Sequence, residues 1–428
     1  MCPAFNKTGS IKTFFLGFTA GTALVLLGAI LWFQLQSPTP RALPPPRPET
    51  ASPIPVPCKA FEQMFPSWLP LRQTGALPHP LTVELPRSIL RRVQFWKSIW
   101  GERALHEHFL VDQRWPWILH ATIDCRDLYS SGPATDKSDR ECESRIAASR
   151  KEIGKKLWRK RLRPDRALLA LYERNRKFIR DAHRQLIIVE GRKENLASAW
   201  KRGEAFLWEV EEVFGKADVP PALARMMIVE SLANPRAVSS VGAVGAFQFM
   251  TQTGQQFLKI GEGVDERLDP LRAGWAAARY LRSQQARFQS WPLTLTAYVA
   301  GPSRLNKMLR LRRSRDLGAV INRGDAPGFS FDSQNYYAQI AAVIDLTAPW
   351  KTVQPAQRRL VVKVPEPMPL SRIAICLQAS HQMLVEANPS LTEPILLNSG
   401  QVPAGYQLTV WLPQQPSQQP IPVGLISR

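Results

Sequence analysis

The alternation of apolar and polar positions divides the chain before any motif is considered. Between residues 13 and 40 there is no Asp, Glu, Lys or Arg. About 20 apolar residues suffice to cross a hydrocarbon core as a helix. Lys7 and Lys12 stand before this run and Trp32 at its far end, so an anchor would keep the amino terminus in the cytoplasm and send the rest across. A cleaved signal peptide competes, because residues 18–23 include small side chains, yet the apolar run continues past them. Residues 1–36 are assigned to this anchor or signal peptide. Residues 37–57 hold nine prolines and form a semi-rigid spacer.

Beyond the spacer the pattern turns helical. Residues 58–140 are aromatic and apolar, with Trp68, Trp96, Trp100, Trp115 and Trp117, and read as helical core without a motif. Leu168, Leu171, Tyr172 and Phe178 give residues 168–179 helical periodicity, and Phe206, Leu207, Val210 and Phe214 do so for 201–214. Pro220-Pro221 opens a helix continuing through Glu230. Further helices are expected over 275–288, 291–299 and 335–346. An irregular small-residue stretch at 234–246 interrupts them, the kind of loop on which sites are built. The expected fold is mainly α. A basic, mostly helical region (58–190) precedes an α+β domain (191–350), a small βααβ unit (358–413) and a tail (414–428) rich in Gln and Pro.

Charge narrows the partners. The 428 residues hold 56 Lys and Arg against 35 Asp and Glu, a formal charge of +21. Residues 145–184 alone carry 15 basic and four acidic side chains. Such a surplus requires an anionic partner. A body outside the cytoplasm excludes nucleic acid and leaves anionic lipid or wall polymer, with lipid favoured near an anchor. Of the five cysteines, Cys125 and Cys142 are the best candidate pair in an oxidising compartment. No cysteine or histidine spacing suggests a metal, and no cofactor is implied.

The chemistry concentrates at Val229-Glu230-Ser231. A carboxyl at a helix C-terminus faces the negative end of the dipole. The preceding Met226, Met227 and Ile228 bury it further, which also favours its protonated form. That is the state a general acid needs. Ser239 follows, then Gly242 and Gly245, which permit close backbone approach or positive φ. Gln248 offers donor and acceptor together, beside Phe249 and Met250. Tyr298 comes at a helix end with Ala300-Gly301, and Asn335-Tyr336-Tyr337 lies further on.

In this order and spacing the residues resemble the soluble-lytic-transglycosylase catalytic domain of the lysozyme-like superfamily, and within it the membrane-bound lytic transglycosylases of the D type. The likeness runs over about 190–350 and includes Val264-Asp265-Glu266-Arg267-Leu268-Asp269-Pro270. It implies Glu230 as catalytic acid/base, with Ser231, Ser239, Gln248, Met250, Tyr298 and one of Tyr336 or Tyr337 toward substrate. The implied reaction cleaves the β-1,4 bond between N-acetylmuramic acid and N-acetylglucosamine in peptidoglycan glycan strands, at a periplasmic location on the inner membrane. One carboxyl would suffice, since the sugar's own C6 hydroxyl attacks C1. Val299 stands where the family has Asn, which keeps a glycan-binding scaffold as an alternative. Asp265, Glu266 or Asp269 reaching the site would make a goose-type lysozyme-like hydrolase; a capped turn before the next helix is the simpler reading. The 358–413 unit resembles a LysM-type repeat, with Pro365-Glu366-Pro367 in place of the expected glycine-acid turn.

Overall fold

A computed structural model describes residues 58–64, 66, 85–129, 135–323, 329–352, 358–412 and 426–427. The expected anchor, the proline spacer and most of the tail lie outside these. The described residues of 58–238 and 242–427 form one compact unit. Among the described residues no helix is long and apolar enough to cross a membrane.

The elements run β1 (Phe61–Met64), α1 (Leu90–Gly101), β2 (Glu107–Asp112), β3 (Trp115–Asp124), α2 (Asp136–Lys160), α3 (Arg166–Leu171), α4 (Arg176–Ile179) and β4 (Leu186–Glu190). The central region follows with α5 (Lys193–Gly203), α6 (Leu207–Lys216), α7 (Met226–Ser231), β5 (Ile260–Gly261), β6 (Val264–Asp265), α8 (Pro270–Phe288), α9 (Trp291–Ala300), α10 (Pro302–Arg312), α11 (Leu317–Ile321) and α12 (Phe331–Thr347). Last come β7 (Arg358–Lys363), α13 (Leu370–Leu377), α14 (His381–Ala387), β8 (Gln407–Leu412) and β9 (Ile426–Ser427). The mainly α reading holds.

Several details differ from the expectation. The 58–140 stretch is not all helix: β2 pairs antiparallel with both β3 and β4, matching Leu110 to Ala121 and Ile188. Phe109, Leu110 and Val111 are all buried, so β2 is a continuous apolar run, which periodicity alone does not separate from helix. The expected 168–179 helix breaks into α3 and α4, with Glu173 and Arg174 at positive φ. The 201–214 helix divides between α5 and α6. Asp136–Lys160 is a single helix started by a capping box at Thr135 and Ser138, and its buried face packs beside the Cys125–Cys142 disulfide.

The carboxy-terminal unit has strand β7, helices α13 and α14, a further short helix at Glu393–Leu396 and strand β8, and its sheet runs β8-β7-β1-β9. β1 enters from the other end of the chain, pairing Met64 with Val361, and a Cys58–Cys376 disulfide fastens it. The boundary at 58 is therefore corrected, as residues 58–64 belong to this unit. The tail is corrected too, because Ile426 pairs in parallel with Phe61.

This unit docks on the β5–β6 hairpin of the central region. Val264 is buried in its core, the Asp265 amide donates to the Ser390 carbonyl at 2.7 Å, and Thr392 Oγ1 donates to the Gly263 carbonyl at 2.8 Å. α1 packs against α12 of the same central region. Arg92 and Trp96 both donate to Asn335 Oδ1, at 2.9 and 3.0 Å. Asn335 thus ties the amino-terminal region to the helix that carries Tyr336.

Candidate active site

α7 is positioned by a buried pair one turn earlier. Arg225 bonds Glu211 at 2.9 Å and Thr347 at 2.8 Å. This fixes the short 3-10 turn that leads into Met226, Met227 and Ile228, all buried. The helix ends at once: Leu232 and Ala233 adopt positive φ. Ser231 Oγ accepts from the Asn234 amide at 3.1 Å and donates to the Ala246 carbonyl at 2.9 Å. Ser231 is buried, so its hydroxyl is a strut between helix end and loop. That corrects its expected place toward substrate.

The 237–249 loop is held by small backbone bridges, Val238 to Val244 and Val244 to Phe249. Gly245 has φ +85°, and a Cβ there would lie 1.9 Å from the Arg267 carbonyl oxygen, so only glycine fits. Gln248 takes φ +50°, and its side-chain nitrogen donates to the Gly245 carbonyl at 2.9 Å. Its amide oxygen makes no hydrogen bond among the described residues. Met250 is exposed at the loop's end. The contact of Ser239 with substrate rests on the sequence alone.

Glu230 keeps some surface, but protein atoms crowd its carboxyl, and this desolvation pushes its pKa up to about 7. The Tyr336 hydroxyl donates to Oε1 and acts in the opposite direction, while the nearby Asp332 charge raises the value further. Burial is the leading cause, and a six-residue α7 has little dipole to add. No Lys or Arg pairs with Glu230 among the described residues. Tyr298 stacks parallel on Tyr336, ring centroids 6.3 Å apart, and donates to the Phe247 carbonyl at 2.7 Å. Burial, then the Glu230 charge, raises both phenols well above their ordinary values, so they stay protonated donors.

Tyr336 meets the carboxylate, whereas Tyr337 is buried in the helical core. Val299, next to Tyr298, is exposed and offers no polar group. The three downstream acids are committed elsewhere: Asp265 to Arg267 at 2.7 Å, Glu266 to Arg272, and Asp269 to the cap of α8 through the Leu271 amide at 2.9 Å. The capped turn is what stands there. Asp332, which the sequence reading missed, is the carboxylate that acts on Glu230. It lies one helical turn before Tyr336, and that i, i+4 spacing was the available signal. Burial raises its own pKa, against the charge of Arg192.

With this geometry in view, residues 213–320 match the family described as Transglycosylase SLT domain. Two curated relatives are each 29% identical to the chain over 125 residues, 29% of this chain and 28% of the relative. Both are named membrane-bound lytic murein transglycosylase D, one from Escherichia coli strain K12 and one from Escherichia coli O6:H1. The match thus spans about 28% of the length of these relatives. Glu230, Gln248, Met250 and Tyr298 fall inside the SLT match; Asp332 and Tyr336 lie beyond its end at 320.

Proposed function

We propose that this chain is a peptidoglycan lytic transglycosylase with Glu230 as its single acid/base. The observation that carries the reading is one crowded carboxyl, pushed up to about 7 by burial and bonded by a phenol rather than a cation. Such a group holds a proton near neutral pH and can also release it.

Protonated Glu230 donates to the glycosidic oxygen as the bond to C1 of N-acetylmuramic acid breaks, and the carboxylate so formed keeps the Tyr336 hydrogen bond. It then takes the proton of the C6 hydroxyl as that oxygen attacks C1. The products are a free N-acetylglucosamine 4-hydroxyl and a 1,6-anhydro ring, and Glu230 recovers its proton. The nucleophile belongs to the substrate, so proximity replaces a positioned water. Gln248 through its free amide oxygen, Ser239 and the exposed Met250 meet the glycan, and Tyr298 walls the site through its bond to Phe247. In digests of purified sacculi the expected products end in 1,6-anhydro rings and vanish with Glu230→Gln. Product from that variant would overturn the assignment.

Asp332 favours one second reading. A carboxylate beside Glu230 could serve a hydrolase, which pairs two carboxyl groups. Digestion in ¹⁸O-water separates the two: label at the reducing end means hydrolysis, and unlabelled anhydro ends mean transglycosylation. The substitution at Val299 favours a binding scaffold only if wild type and Glu230→Gln bind sacculi equally and neither yields product.

For location, the uncharged run at 13–40, spacer and body together make a single-pass inner-membrane protein with its catalytic part in the periplasm. The relatives named as membrane-bound support this reading. Retention in the membrane fraction after alkaline carbonate extraction tests it.

A further inference from the structure

We propose that the outer face of α2 and the turn after it dock on an anionic phospholipid bilayer, with Trp158 and Leu162 set into the headgroup boundary. The inference stands apart from the catalytic reading.

α2 turns Cys142, Ile146, Ile153 and Leu157 toward the three-stranded sheet and its helices. Lys151, Lys155, Trp158 and Arg159 recur at the three- and four-residue spacing of the opposite face. Trp158 is 46% exposed and Leu162 67%. The Arg161 guanidinium lies 3.3 Å from the Trp158 ring centre, covering one side of the indole.

Charge surrounds these apolar tips. Between residues 151 and 184 there are 13 Lys and Arg and four acids. The acids are already engaged: Glu152 with Lys156, Asp165 with Lys160, Glu173 with Arg91 and Asp181 with Arg114. Eleven of the cations are in no ion pair among the described residues. A solvated helix face explains the charge but not an exposed Trp and Leu in its midst. A wall polymer would neutralise the cations and leave the same two side chains in water. An anionic bilayer does both, since lysines and arginines are drawn to its surface while indole and leucine enter the headgroup layer.

The test uses the full chain reconstituted in phosphatidylcholine vesicles with or without phosphatidylglycerol, read by hydroxyl-radical footprinting. Oxidation of Trp158 and Leu162 is expected to fall about fivefold with the anionic lipid and to recover at about 0.5 M salt, where the screening length is a few ångströms. Ile375, 64% exposed in the carboxy-terminal unit, serves as the unchanged reference. Reversing Lys151, Lys155 and Arg159 to Glu should abolish the protection without moving the thermal midpoint. Equal oxidation in the two vesicle types overturns the proposal. So does protection by isolated sacculi but not by anionic vesicles, which would give the face to the wall polymer.

Discussion

The Glu230 pocket and the outer face of α2 treat charge in opposite ways. At the first, one carboxyl is crowded by protein, held by a single phenol and pushed up to about 7. At the second, Lys151, Lys155 and Arg159 stand in water, in no ion pair among the described residues. Solvation makes the difference. A group stripped of water changes its proton affinity and becomes able to do chemistry, whereas a solvated group keeps its charge and acts only through the field it makes. On the two proposals above, the chain would hold a reactive site defined by one side chain and an attachment surface defined by many.

Glu230→Gln should break this comparison most sharply. Loss of the proton donor is expected to lower turnover of sacculi by about 10²–10⁴-fold, measured as soluble anhydro-ended products. In the wild type, turnover should also decline as pH rises past about 7, where Glu230 loses its proton.

The same variant should be more stable than the wild type at alkaline pH. Below about 4.5 both folded and unfolded chains hold the proton, and the site carries no electrostatic cost. As pH rises the unfolded chain ionises first, and wild-type stability falls until pH passes the folded value near 7. The full loss is about 2–3 kcal/mol. Glutamine removes it, so the melting difference between the two proteins should be near zero at pH 4 and largest at pH 8. A difference independent of pH would refute the raised Glu230 value.

Tyr336→Phe is a smaller change. Removing a hydrogen bond to an ionised partner is expected to lower turnover about tenfold. Because that bond holds the Glu230 pKa down, the alkaline decline should shift to higher pH. Tyr337→Phe, in the core, should leave the pH profile where it was.

The smallest effect belongs to the solvated pole. Lys155→Glu with Arg159→Glu should move the thermal midpoint by no more than about 2 °C, as both side chains are exposed. A larger destabilisation would mean that α2 relies on these cations for folding.

Much of the site was legible because its parts are local. A proline-started turn leading into α7, Glu230 near the end of that helix, glycines at the turn and Tyr298 before Ala300-Gly301 are all short-range signals. What escaped were partners distant in sequence. Tyr336 over Tyr337 depends on the rotation of α12, which Arg92 and Trp96 set through Asn335 from some 240 residues away. Ser231 reads as a site residue from its neighbour, yet packing turns it into a strut. Asp332 has no motif of its own and matters only because α12 lies beside Glu230.

By itself the sequence determined the uncharged leading run, the basic stretch, most helices, the βααβ order and the acid at 230. Each follows from periodicity, capping or composition, which act within a few turns of chain. The tertiary structure alone decided that residues 58–64 cross to the far end of the chain and pair with β7. It also decided that β2, β3 and β4 form a sheet where helix was expected, and which phenol meets the carboxyl. Strand pairing and desolvation depend on surfaces brought together from distant segments, and no local pattern specifies which surface arrives.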